Sequence, residues 1–149
     1  MQTSSQRYNL LLIEDNMGDV RLTEEAFRET GDRVDIEVVM DGVSALAFLN
    51  REGEYADKPT PDLIMLDLNL PKWGGRQVLE KLKAHPELRR IPVIVLTTSN
   101  ANTDVKYAYD LHANCFIRKP VDFDSFFQII EHIQDFWLDT VTLPSIINQ

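Results

Sequence analysis

The sequence predicts an α/β protein in which a parallel sheet is covered by helices on both faces. Three observations carry this. Apolar runs of strand length recur along the chain, the segments between them have helical rather than alternating period, and the runs end in polar residues and turn formers.

The first strand is LLLI, residues 10–13, whose lack of alternation means burial on both faces. Val20, Ala26 and Phe27 mark a first helix ended by Gly31, and VDIEVVM, residues 34–40, is the second strand. Val43, Leu46, Ala47 and Leu49 mark a second helix. REGEYADKPTP, residues 51–61, reads as a longer solvated loop, and DLIMLDL, residues 62–68, is the third strand. Val78, Leu79 and Leu82 mark a third helix, stopped near Pro86 because proline cannot continue the hydrogen-bond ladder. IPVIVLT, residues 91–97, a helix over residues 102–113, CFI, residues 115–117, and a helix from about Asp122 complete the series. Five alternations of strand and helix require parallel pairing through right-handed crossovers. There is no internal repeat or linker, so one domain is expected over residues 1–149.

Composition narrows the function. A hydrophobic content of 44% builds one core, and a net charge of −9 opposes binding to nucleic acid or to an anionic membrane. Proteins, small ligands and cations are the expected partners. The single cysteine, Cys115, allows no internal disulfide and reads as a small buried hydrophobe beside Phe116. The start MQTSSQRYN has no apolar leader and no run is long enough to span a bilayer, so a cytoplasmic setting is expected.

Ligands of such sheets bind at the carboxyl ends of the strands. Those ends carry Glu14 and Asp15, then Asp67, Thr97 and Lys119. Adjacent unpaired carboxylates repel by as much as about 4 kcal/mol at roughly 4 Å when the effective dielectric constant is near 20. A hard cation such as Mg²⁺ among them removes the conflict. Asp67 is then the central acid and the candidate nucleophile toward phosphorus, with Lys119 and Thr97 placed to hold the transferred group.

IEDN, IMLDLNLP, LTTS and FIRKP resemble the blocks of receiver domains of two-component response regulators, in matching order over about residues 8–138. The resemblance implies a flavodoxin-like three-layer sandwich, strand order 2-1-3-4-5 with five helices, and phosphotransfer from the phosphohistidine of a separate histidine kinase. It implies Asp67 as phosphoacceptor and Asp15 as a direct Mg²⁺ ligand, with Glu14 a ligand through water and Asn69 a ligand by its backbone carbonyl. Thr97 is implied as the switch hydroxyl, Phe116 as the aromatic that moves with it, Lys119 as the phosphate contact, and a cis bond before Pro120. LLIEDNMGDVRLTEEAF and FWLDTVTLP are similar to the small response regulators of cyanobacterial phytochromes, which implies a red-light photoreceptor kinase as partner. The chain departs from the family pattern in two places. PKWGG puts Trp73 where a smaller apolar residue is usual, and Phe116 lacks the hydroxyl of the alternative tyrosine.

After Lys119 about thirty residues remain, too few for an output domain in a usual size range of roughly 50–250 residues. The expectation is a signalling protein, not an enzyme, that acts by contact. On the fifth helix Phe123, Phe126, Ile130, Ile133 and Trp137 fall on one stripe, flanked by Ile129 and Phe136 on one side and Phe127 on the other. This width suggests a twofold homodimer through the fourth and fifth helices and the strand between them. The tail TVTLPSIINQ is expected to reach a neighbour. His85, His112 and His132 lie away from strand ends, and Glu24 and Glu25 read as a solvated face. An aspartyl-phosphate phosphatase would want an acid two residues after the nucleophile, where Asn69 stands, and EDNMGD is too acidic to cradle a flavin phosphate. A receiver-like binding module that is never phosphorylated is the remaining alternative.

Overall fold

The apolar run near the start of the chain becomes the middle of the sheet. The computed structural model describes residues 6–70, 74–98 and 101–144. Its strands are β1 (Tyr8–Ile13), β2 (Val34–Val39), β3 (Leu63–Leu66), β4 (Val93–Thr97) and β5 (Cys115–Arg118), all parallel in the order β2-β1-β3-β4-β5. The helices are α1 (Met17–Glu29), α2 (Gly42–Leu49), α3 (Gly75–Ala84), α4 (Asn102–Asp110) and α5 (Phe123–Gln134).

Successive strand side chains point to opposite faces, so the core divides in two. Leu11, Ile13, Ile64, Leu66, Val93 and Val95 pack with Ala45 of α2 and Val78, Leu79 and Leu82 of α3. Leu10, Leu12, Leu63, Met65, Ile94 and Leu96 pack with Ala26 and Phe27 of α1 and with Phe126, Ile130 and Ile133 of α5. Three helix starts are fixed by side-chain oxygens: Asn16, Asp41 and Asp122 accept from the N–H groups of Asp19, Ser44 and Ser125. No described helix is long and apolar enough to cross a membrane.

Several expectations need correction. Val43, one of the residues that mark the second helix in the sequence, is exposed, whereas Gly42, Ala45, Phe48 and Leu49 are buried, because the Asp41 cap sets the helix phase. The segment at residues 51–61 contains a short 3₁₀ turn, Gly53–Tyr55, whose Tyr55 ring lies 5.3 Å from Phe48. Cys115 is half-buried, not enclosed, since β5 is the sheet edge. Phe123 leaves the predicted stripe: it is exposed in the first turn of α5 and stacks on Phe127 at 4.7 Å. No cis peptide bond occurs among the described residues, so the bond before Pro120 is trans, the isomer a tertiary amide prefers by about 0.5–1 kcal/mol.

The chain beyond α5 continues as a π-helical turn, Asp135–Thr140. Leu138 and Leu143 are buried in the α1–α5 half of the core, and the Tyr8 hydroxyl donates to the Leu138 carbonyl at 3.4 Å. The tail through Leu143 thus covers its own sheet, while residues 145–149, where the rest of the tail expected to reach a neighbour falls, and Trp73 lie outside the described residues.

Candidate functional site

Parallel topology delivers the ends of β1, β3, β4 and β5 to one edge, and the five residues read from the sequence meet there. The ladder continues past β3, with the Asp67 N–H donating to the Ile13 carbonyl at 3.0 Å, so Asp67 is set directly beside the Glu14–Asp15 pair. Ligand oxygens of Glu14, Asp15 and Asp67 all lie within 4.8 Å of one another. On the far side, the Lys119 N–H donates to the Thr97 carbonyl at 2.8 Å and draws the end of β5 to β4.

Both oxygens of Asp67 are engaged. Oδ1 accepts from the Asn69 N–H at 2.9 Å and from the Thr97 hydroxyl at 2.8 Å; Oδ2 accepts from Lys119 Nζ at 3.0 Å. The Lys119 ammonium also donates to Glu14 Oε1, and to Asp19 Oδ2 at 2.8 Å. Glu14 Oε2 accepts from the Asn16 N–H at 3.1 Å, and Asn69 Nδ2 reaches the Thr97 hydroxyl at 3.4 Å. Glu14, Asp67 and Thr97 are buried; Asp15 and Asn69 are exposed and leave the site open to solvent.

Burial and charge act against each other in this cluster. Burial pushes the Glu14 carboxyl up to about 7 against the Lys119 hydrogen bond, with the Asp67 charge pushing the same way as burial. For Asp67 burial also acts upward, but the Asn69 N–H, the Lys119 ammonium and the Thr97 hydroxyl together hold the carboxyl below its ordinary range. Burial disfavours the Lys119 charge, and the carboxylates of Asp19, Glu14 and Asp67 outweigh it and hold the ammonium well above its ordinary value.

Close packing fixes the strand end that carries Asp67. A Cβ on Gly75, the first residue of α3, would stand 2.4 Å from the Asp67 carbonyl oxygen and 2.6 Å from Leu68 Cα. Only glycine lets α3 begin against the backbone that carries Asp67. Phe116 is half-buried against the α2–α3 side of the core, and its N–H donates to the Tyr109 hydroxyl at 3.2 Å. A phenol does hold the Phe116 backbone, but it comes from α4. A cavity of about 480 Å³, lined by Arg51, Pro61, His85 and Pro144 among others, lies among loops that lead into the strands and takes no part in the site.

This geometry fits a hard divalent cation: three carboxylates of differing burial converge, with one open side. The chain matches the response regulator receiver domain model over residues 10–131. It belongs to the response regulator receiver family. Response regulator Rcp1 of Synechocystis sp. is 46% identical over 136 residues, covering 91% of this chain and 92% of Rcp1. Among solved structures, the phosphorylated cyanobacterial phytochrome response regulator RcpA superposes with a TM-score of 0.89 at 48% identity, over 93% of this chain and 99% of that one. The Mn²⁺-bound form of Rcp1 superposes with a TM-score of 0.87 at 45% identity, over 92% of this chain and 99% of that one. The parallel order and the acidic cluster are therefore those of a signalling receiver domain, a family whose cofactor is Mg²⁺.

Sequence reasoning missed two partners. Asp19 carries a visible signal, since it falls in the same EDNMGD stretch one helical turn beyond the Asn16 cap. Tyr109 carries none, because its role depends on how α4 crosses β5.

Proposed function

We propose that this chain is a response regulator whose Asp67 takes a phosphoryl group from a histidine kinase of the phytochrome type, in a Mg²⁺-dependent reaction, and that it signals by protein contact without enzymatic turnover of its own. The observation that carries this is the convergence on Asp67 of an ammonium at 3.0 Å, a hydroxyl at 2.8 Å and two further acids. An Asp67 oxygen attacks phosphorus, the P–N bond to the kinase imidazole breaks with its electron pair going to nitrogen, and an acyl phosphate forms. Asp15 would hold Mg²⁺ directly with Asp67 and the Asn69 carbonyl, and Glu14 through water; the ion supplies positive charge against the carboxylates and the phosphoryl oxygens. Lys119 turns a donor to a phosphoryl oxygen. Thr97 exchanges its Asp67 bond for another, and Phe116 follows it inward, favouring the conformer that a partner binds.

The phytochrome assignment rests on the likeness to Rcp1 and RcpA. It is tested by incubating the protein with an autophosphorylated cyanobacterial phytochrome kinase and following the label. Movement of label from kinase to this chain within minutes supports the assignment; label retained by the kinase refutes it. The net charge of −9 and the single cysteine support a cytoplasmic protein that binds neither membrane nor nucleic acid.

Cation binding has an expected pH signature. Glu14 is raised to about 7 from 4.5, so the fold holds a proton that the unfolded chain has released. Its contribution to metal-free stability therefore falls as pH rises through that window, while that of Asp67 is present at neutral pH and lost as pH falls through its lowered pKa. A cation must displace the Glu14 proton, so apparent Mg²⁺ affinity should rise between pH 6 and pH 8, by at most about tenfold per unit. Titration calorimetry in two buffers of different ionisation enthalpy reads the released proton.

The second copy we assign to the α4–β5–α5 face. Phe136 and Tyr109 are each about half exposed, and Ile117, Ile129, His132 and Trp137 line a shallow cavity of about 310 Å³ between β5 and α5. Phe136→Asp should weaken self-association about tenfold or more in sedimentation experiments, as expected for an aromatic anchor.

A further inference from the structure

Lys119 has three N–H donors and all three are engaged, by Glu14, Asp19 and Asp67. A primary ammonium has no fourth donor. A phosphoryl oxygen arriving on Asp67 can be served by Lys119 only if one of these bonds opens.

The three are not equivalent. Glu14 and Asp67 belong to the acidic cluster with Asp15, and their side chains are 4% and 7% exposed; Asp19 is outside that cluster and its side chain is 30% exposed. Opening the bond to Asp19 leaves a carboxylate that water can take up; opening the bond to Glu14 leaves a buried carboxylate without its ammonium, and the ammonium has to stay beside Asp67 because that side chain carries the phosphoryl group. Asp19 also stands on a fixed base. Its N–H donates to the Asn16 cap at 3.0 Å and its carbonyl accepts from the Thr23 hydroxyl at 2.7 Å, both through main-chain atoms. The side chain is therefore free to release Lys119 without disturbing α1.

We infer that Asp19 is a positioning residue that competes with the phosphoryl group for Lys119: it holds the ammonium beside Asp67 before transfer and gives up its bond when the phosphoryl group arrives. This rests on the reading of Asp67 as phosphoacceptor. Removing the Asp19 charge takes away a competitor and a repelling anion together, so both effects favour the phosphorylated state.

The test uses beryllofluoride with Mg²⁺, a non-covalent stand-in for the phosphoryl group, on wild type, Asp19→Asn and Asp19→Glu. Asp19→Asn should bind it about three- to tenfold more tightly, the range for a partly exposed charged hydrogen bond, and Asp19→Glu should return affinity toward wild type. In the metal-free protein, hydrogen exchange at the Lys119 ammonium should be slow in wild type and faster in Asp19→Asn. A merely structural Asp19 would lower the thermal midpoint and weaken binding. Unchanged or weaker binding by Asp19→Asn overturns the inference; failure of wild type to bind at all overturns the phosphoacceptor reading and the inference with it.

Discussion

Asp67→Asn should take up no phosphoryl group from any donor, under conditions in which the wild-type chain is fully modified. The amide that replaces the carboxylate has no anionic oxygen to attack phosphorus, and the nearest other acids cannot stand in. Glu14 is buried with its Oε1 bound to Lys119 and its Oε2 to the Asn16 N–H. Asp15 is exposed, and the Thr97 hydroxyl is directed at Asp67. The same substitution should leave the fold intact, since the amide oxygen can still accept from Asn69 and Thr97, and it removes one of the charges that raises Glu14. Intact-protein mass and the thermal midpoint, measured together, separate a lost nucleophile from a lost fold. Phosphoryl uptake by Asp67→Asn would move the acceptor elsewhere.

Lys119→Met should have the largest effect on stability. The Lys119 side chain is 6% exposed and its ammonium faces three carboxylates, and methionine has about the same length with no charge. Breaking a buried ion pair from one side typically costs about 3–5 kcal/mol because the remaining charge is unpaired. Protonation of Glu14 can offset part of this at neutral pH, so the metal-free loss should be about 3 kcal/mol there and larger above pH 8. Mg²⁺ supplies the missing positive charge and should recover most of the loss, while phosphoryl transfer stays impaired because no ammonium reaches the phosphoryl group. Urea unfolding with and without Mg²⁺ measures both parts. A variant as stable as wild type without metal would mean that Lys119 does not balance the cluster.

The sheet was legible because strands buried on both faces must be continuous apolar runs, and LLLI, DLIMLDL and IPVIVLT have no other easy use. The site was legible because parallel topology puts every strand's carboxyl end on one edge, so reading the residue after each run is a geometric operation. Helix phase was harder. Val43 and Phe123 follow periodicity into the core but lie outside it, since a cap at Asp41 and a ring pair with Phe127 decide the first turns. Contacts that depend on the path of an element across another were invisible, as with the Tyr109 hydroxyl on the Phe116 N–H and with Leu143 beneath the sheet. Asp19 falls between these cases. Its position was in view, but its bond to Lys119 spans 100 residues and needs the fold to be seen.

The most direct measurement is the site of modification after incubation of the wild-type protein with a small acyl phosphate, with Mg²⁺ and with a chelator, read by reductive trapping of the acyl phosphate and peptide mass mapping. A single modified residue, Asp67, present only with Mg²⁺, is the expected result. Modification at another residue, or none even from a phosphorylated kinase, would contradict the assignment of Asp67 as acceptor.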